Sequence, residues 1–459
     1  MKNTNKRNVF LAITGIAIVG LFAACDQPKV EKKQEQSIVQ VQHPEWSKNL
    51  SVYEVNVRQF TSEGTFLALE SHLPRLKNLG ADILWLMPIN PIGETNRKGT
   101  LGSYYSIKDY REINPEYGNK EDFKHFVEMA HEQGLYVIVD WVANHSAWDN
   151  ALVTEHPDWY DKDSTGKMVS PFDWTDVVEF NYNNPDMSAY MLDALKYWVI
   201  DFNIDGYRCD VAGMVPDSFW QKARTELDGI KPVFMLAEDE AQRHHAAFDM
   251  TYGWEFHHIM NKIYKGENTA NDIEIYLKKN DSLYPENAYR MNFITNHDEN
   301  SWNGTEFERL GKGVEAFYVL TATVPGMPLI YTGQESAMDK RLDFFERDPV
   351  KWGDYSMTSF YKALFDLKKS NAALYNGSYG GSWERINTVE DSNVFALLRK
   401  KDNNAVVSIV NLSKEAVKIT LKGSAYIGEF TQLYSGEKVT LSENQPIELP
   451  AWGYKVFYK

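Results

Sequence analysis

The stretch "IDGYRCDVAGM", residues 204–214, decides the fold. It reads as a short buried strand, yet it carries Arg208 and Asp210 two positions apart. In a strand, residues i and i+2 share a face, so both charges point the same way and Cys209 points the other, as a small apolar filler. Such a pair fits a strand that runs out at the end of a barrel, where the guanidinium holds the carboxylate ionised and oriented. Taken alone, the pair reads equally well as an ion pair that closes the barrel top or as the setting of a nucleophile.

Working outward, the same theme recurs. "SVYEVNV" (51–57), "DILWLMP" (82–88), "LYVIVDWV" (135–142), "PVFMLAE" (232–238), "RMNFITNHD" (290–298) and "MPLIYTGQE" (327–335) read as strands, with "AAFDMTYG" (246–253) as a weaker further candidate. Amphipathic helices lie between them. In "DMSAYMLDALKYWVIDF", Met187, Met191, Leu195, Trp198 and Phe202 form one stripe, and Asn184-Pro185 supplies a cap and a first-turn proline. Repeated β-α alternation of this count predicts an α/β fold, a (β/α)8 TIM barrel over 46–375. Two departures from alternation extend it. The Trp-, Asp-, Pro- and Gly-containing stretch 145–185 after the third strand is too long for an ordinary βα loop and predicts a small inserted subdomain. From 376 to 459 the helices stop and short alternating runs predict a C-terminal antiparallel β-sandwich.

Several strands end in carboxylates: Asp140 with Asn144 and His145, Asp210, Glu238, and Asp298 beside His297. Each alone is chemically ordinary, but packing needs no convergence of negative charge on one rim. Clustered carboxylates raise one another's pKa, so one should stay protonated near neutral pH. Glu238 is the expected acid, with Asp298 ionised nearby and Asp210 neutralised by Arg208. An acid and a nucleophile facing one bond form the apparatus of retaining glycoside hydrolysis.

"DWVANH", "GYRCDVA", "AED" and "FITNHD" resemble, in order, the four signature regions of the α-amylase family of glycoside hydrolases. "GSYYSIKDYREINPEYG" and "EFNYNNPD" are similar to two further segments of that family, and the resemblance covers about residues 46–459. It implies Asp210 as nucleophile, Glu238 as general acid/base and Asp298 as the third carboxylate that grips sugar hydroxyls. It implies that Arg208 orients Asp210, that His145 and His297 donate to sugar hydroxyls, that Tyr105 stacks on the sugar and that Asp140 supports the rim. The substrate class implied is starch, maltodextrins or related α-glucans with α-1,4 bonds; an exo-acting α-glucosidase, a cyclomaltodextrinase or a glucan transferase shares the same signatures. A non-catalytic glucan-binding protein is the reading from another class, and the intact Asp210, Glu238 and Asp298 speak against it. Gly213 and Met214 stand where many amylases carry Lys-His, which leaves product-side contacts open. Asn144 matches a calcium-ligand position, although Ca2+ takes six or more oxygens and one asparagine is weak support. Trp148, Trp159, Trp174, Asp149 and Asp176 of the insert, with Trp85 and Trp141, read mainly as packing or structural residues.

The amino terminus has a separate task. "MKNTNKR" is basic, residues 9–24 are apolar, and "LFAAC" resembles a bacterial lipobox, so 1–24 reads as a lipoprotein signal peptide and Cys25 as the lipidation site. Residues 25–45 are polar and read as a flexible tether. The expected location is thus outside the cytoplasm, membrane-anchored, on the periplasmic face or cell surface. With Cys25 lipidated, Cys209 has no disulfide partner. The formal charge is −16 and becomes more negative when Lys2, Lys6 and Arg7 leave with the leader, which argues against a nucleic-acid partner. The sequence leaves the oligomeric state open, and no organic cofactor is expected.

Overall fold

The structure, a computed structural model, describes residues 41–459; the leader, Cys25 and the tether up to residue 40 lie outside the described residues. Eight strands, β1 (Val52–Val55), β2 (Ile83–Leu86), β3 (Tyr136–Trp141), β4 (Gly206–Cys209), β5 (Phe234–Ala237), β6 (Met250–Tyr252), β7 (Tyr289–Asn292) and β8 (Met327–Tyr331), close into a parallel barrel in which β1 pairs with both β2 and β8. Each stretch read as a strand overlaps one of them, the weak 246–253 run included, and β7 begins one residue ahead of the stretch 290–298.

Alternation along the strands sorts the side chains into two layers. Tyr53, Leu84, Val137, Val139, Tyr207, Cys209 and Met235 point outward and pack under the helices. Val52, Ile83, Ile138, Phe234, Leu236, Met250, Tyr289, Met291, Met327 and Leu329 fill the interior. One step further along the inward face, the filler turns polar: Glu54, Asp140 and Arg208 are buried there beside Trp85 and Tyr252. The apolar layer is the floor on which the polar layer stands. Gly206 starts β4 because nothing larger fits; its φ is +149° and a Cβ would lie 1.8 Å from the Phe234 carbonyl oxygen on β5.

The helix Pro185–Phe202 forms as its sequence dictates. The Asn184 side chain accepts from the Asp186 and Met187 backbone N–H groups, and all five residues of the apolar stripe are buried. Between β5 and β6, by contrast, only residues 238–249 intervene, and a 3-10 turn (Gln242–Ala246) takes the place of a helix. The insert after β3 is built on a two-stranded ribbon, His145–Ala147 against Val177–Glu179.

The expected tether is shorter at its carboxyl end than 45. Val41 and His43 are already buried, and His43 Nδ1 lies 2.7 Å from Asp249 Oδ1. A 3-10 turn (Glu45–Asn49) follows, and its Trp46 stacks on Tyr136 at 3.9 Å beneath the barrel floor. At the other end of the chain, a six-stranded antiparallel sheet runs from Ser382 to Tyr458, with a two-stranded ribbon, Val417–Thr420 with Pro446–Leu449, apart from it. Ile409, Ile419, Phe430, Leu441, Ile447 and Phe457 form the core between them. The sheet packs on the barrel helix Val314–Thr323, where Trp452 meets Phe317 and Thr323 Oγ1 donates to Ser408 Oγ at 3.1 Å. Among the described residues no helix is long and apolar enough to cross a membrane.

Candidate active site

Arg208 is the hub of the polar layer. β3 and β4 run in register with Asp140 beside Arg208, so the fully buried guanidinium meets Asp140 Oδ1 through Nη1 at 2.9 Å. The same Nη1 lies 3.0 Å from Asp210 Oδ1, and Nη2 lies 2.8 Å from Glu238 Oε1. Nε donates to the Tyr252 hydroxyl at 3.1 Å. One cation thus gathers carboxylates from the ends of three neighbouring strands, which offsets the cost of placing them in a common dry region. Immediately after Asp210 the backbone kinks: Val211 sits at φ +36°, a conformation a β-branched residue rarely adopts, and its N–H donates to Glu238 Oε2 at 2.8 Å.

A second cluster is built around His297. Its Nδ1 bonds Glu54 Oε1, its Nε2 lies 2.8 Å from the Tyr105 hydroxyl and 3.3 Å from Asp298 Oδ2, and its ring stacks against Tyr105. Tyr105 in turn donates to Asp140 Oδ2 at 3.1 Å, an oxygen that also accepts from Trp85 Nε1 at 3.1 Å. The two clusters therefore share Asp140. Asp210, Glu238, Asp298, Tyr105, His145 and His297 all line one cleft of about 390 Å³.

The electrostatics follow from this packing. Burial pushes the Asp140 carboxyl up to about 6 against the pull of Arg208 and His297. Burial pulls His145 down to about 3, so it is a neutral imidazole at pH 7. Burial would lower His297 too, but Asp298 and Glu54 outweigh it and hold the ring at about 9, an imidazolium. Asp210 is pushed well above the ordinary carboxylate range by burial and then by Glu238, with Arg208 opposing. The sequence reading likewise expects one proton to stay within this carboxylate cluster, and assigns it to Glu238. Asp210 is the deeper of the two and faces the Glu238 and Asp140 carboxylates as well as Arg208.

Every site residue read from the sequence within 41–459 except Asn144 falls in these two clusters or lines the cleft; Cys25 lies outside the described residues. Both ring nitrogens of His297 are taken by protein partners, so in this state it holds Asp298 and Tyr105 rather than standing free. Asn144 is buried with its amide 3.4 Å from His145 Nδ1 and its backbone oxygen accepting from Phe180 N–H. Among the described residues no group of three or more His, Cys, Asp or Glu side chains gathers as a metal site.

Other contributors escaped the sequence reading. Trp85 is more than packing, since it donates to Asp140 and lies 5.1 Å beneath the Arg208 guanidinium. Glu54 and Tyr252 were unassigned; for Glu54 the available signal was a lone acid inside an apolar strand. Trp174, read as structural, lines the cleft and meets His145 edge-on at 5.4 Å. Lys98, Trp302, Phe344 and Phe345 also line it, from loops with no periodic pattern to read.

Comparison with known proteins agrees with this geometry. The profile of the Alpha-amylase family, described as "Alpha amylase, catalytic domain", matches residues 22–177 and 157–351. An alpha-amylase of Haloarcula japonica is 29% identical over 415 residues, covering 86% of this chain; the chain spans 59% of that relative's length. The crystal structure of a noncanonic maltogenic alpha-amylase from Thermotoga neapolitana superposes with a TM-score of 0.82 at 32% identity, covering 89% of this chain and 98% of the other. That of an alpha-amylase from Lactobacillus plantarum gives 0.81 at 30% identity, covering 90% and 99%. With carboxylates at the ends of β3, β4 and β5 drawn onto one arginine, and the family profile matching most of the barrel, the chain belongs to the alpha-amylase family.

Proposed function

We propose that the protein is a retaining glycoside hydrolase that cleaves α-1,4-glucosidic bonds of starch, maltodextrins or related α-glucans. The observation that carries this reading is one guanidinium holding Asp210 at 3.0 Å and Glu238 at 2.8 Å in the cleft that Asp298 also lines. The pair works with one proton between its two carboxyls. In the productive arrangement the proton stands on Glu238 and the Arg208 charge serves Asp210. Asp210 attacks the anomeric carbon while Glu238 gives its proton to the departing glycosidic oxygen, forming a glycosyl ester on Asp210. Glu238, now a carboxylate, takes a proton from water, the hydroxide attacks the same carbon, and the Asp210 carboxylate is released. Two inversions return the α configuration. Asp298, held by the His297 imidazolium, and Tyr105 are placed to grip and stack on the sugar. Because the two carboxyls are coupled, the limbs of the pH profile report losses of the first and second proton from the pair.

The test follows maltooligosaccharide hydrolysis by NMR. The α-anomer is expected first, and Asp210→Asn and Glu238→Gln should each lose about 10²–10⁴-fold in turnover while melting like the parent. Initial β-anomer, or near-parental activity in either variant, overturns the proposal.

The same proposal places the enzyme outside the cytoplasm, anchored to the membrane through lipid on Cys25. Its support is the basic start, the apolar run and the "LFAAC" stretch.

A further inference from the structure

We propose that the cleft is blind on its glycone side, so that the enzyme takes α-glucans by their non-reducing ends; this rests on the hydrolytic function proposed above. The wall is continuous because each loop that forms it is bonded to the next. The loop after β2 is tied to the insert by Lys98 Nζ to Asp176 Oδ1 at 3.0 Å and by Ser106 Oγ donating to the Asp176 carbonyl at 3.1 Å. The same loop is tied to the loop after β8: Leu101 N–H donates to the Phe345 carbonyl at 3.0 Å, and Thr100 N–H donates to Glu346 Oε1 at 2.9 Å. Arg58, following β1, clamps that joint from beneath by donating to the Gly102 and Phe344 carbonyls at 3.1 and 3.3 Å. The loops after β7 and β8 are joined by Asn300, whose Nδ2 donates to the Lys340 carbonyl at 3.0 Å and whose Oδ1 accepts from Leu342 N–H at 2.9 Å. A polymer running through would have to pass between loops whose backbones are hydrogen-bonded.

The opposite side contributes fewer residues to the lining. There β4 and β5 line the cleft with Asp210, Val211 and Glu238 alone. Gly213 adds no side chain, and the place of its Cβ is taken by Asp239, whose Oδ2 would lie 1.9 Å away.

Chemistry fixes which side receives which half of the substrate. The acid must reach the glycosidic oxygen, so the leaving portion lies on the Glu238 side, where, among the described residues, no loop-to-loop bonds of this kind close the lining. The glycone lies toward Tyr105, Phe344 and Trp302, where the wall stands. A chain can therefore extend from its reducing half only, and its non-reducing end must sit inside.

The experiment compares p-nitrophenyl maltoheptaoside with the same compound blocked by an ethylidene group on its non-reducing glucose. The free-ended compound should be cleaved and the blocked one roughly 100-fold more slowly. Equal rates overturn the proposal, and silence on both overturns the hydrolytic function beneath it. Glu346→Ala, which loosens the joint at Thr100, should raise the blocked-substrate rate several-fold with the free-ended rate unchanged. An unchanged ratio in that variant, with parental melting, overturns the wall as the cause.

Discussion

His297 shows how a single side chain sets conditions for the rest. Burial alone would keep it neutral, yet Asp298 and Glu54 hold it protonated to about 9. A group whose pKa is raised on folding contributes stability below its unfolded value, near 6.5, and loses it as pH rises through the folded value. The shift corresponds to roughly 3 kcal/mol. Melting temperature should therefore decline between about pH 6.5 and 9, and a ring titration by NMR should place His297 near 9. Glu54→Gln should pull that titration, and the upper edge of the decline, downward. A parental His297 titrating near 6.5 would refute the argument. Arg208 is a poorer probe, because removing it strands several buried carboxylates at a cost of about 3–5 kcal/mol and the fold itself would be at stake.

The strands show what a sequence discloses at the level of elements. Eight barrel strands were readable since each is an apolar run bounded by turns, and their terminal acids stood out against it. Two strands of the C-terminal sheets, Ser382–Arg385 and Pro446–Leu449, were not, because alternate residues are exposed and no apolar run marks them. Asp210, Glu238 and Asp298 were legible for the reason the barrel was. Trp302, Phe344 and Phe345 were not, since their place depends on bonds between loops far apart in the chain, such as Asn300 to Leu342. The tightest strand contact yields a prediction. Gly206→Ala would drive a methyl into the Phe234 carbonyl at a φ suited to glycine, separating β4 from β5. A loss of about 1–3 kcal/mol is expected, read as a lowered thermal midpoint, with catalysis impaired because Arg208 rides on the same strand. A midpoint equal to the parent's would contradict the close approach of these two strands.

At the scale of the whole molecule, barrel and C-terminal sheets share one apolar contact zone around Val314–Thr323, so the last domain covers a helix that would otherwise be bare. The proposed anchor belongs to this scale too. Cys25→Ala should shift the protein from the membrane to the soluble fraction and abolish incorporation of a clickable fatty acid; unchanged partitioning and labelling would remove the anchor from the proposal.

Trp46 lies under the barrel at the first residues of β3 and β5, while Asp210 and Glu238 stand at the opposite ends of β4 and β5. The polypeptide thus enters its folded body at the pole farthest from the chemistry.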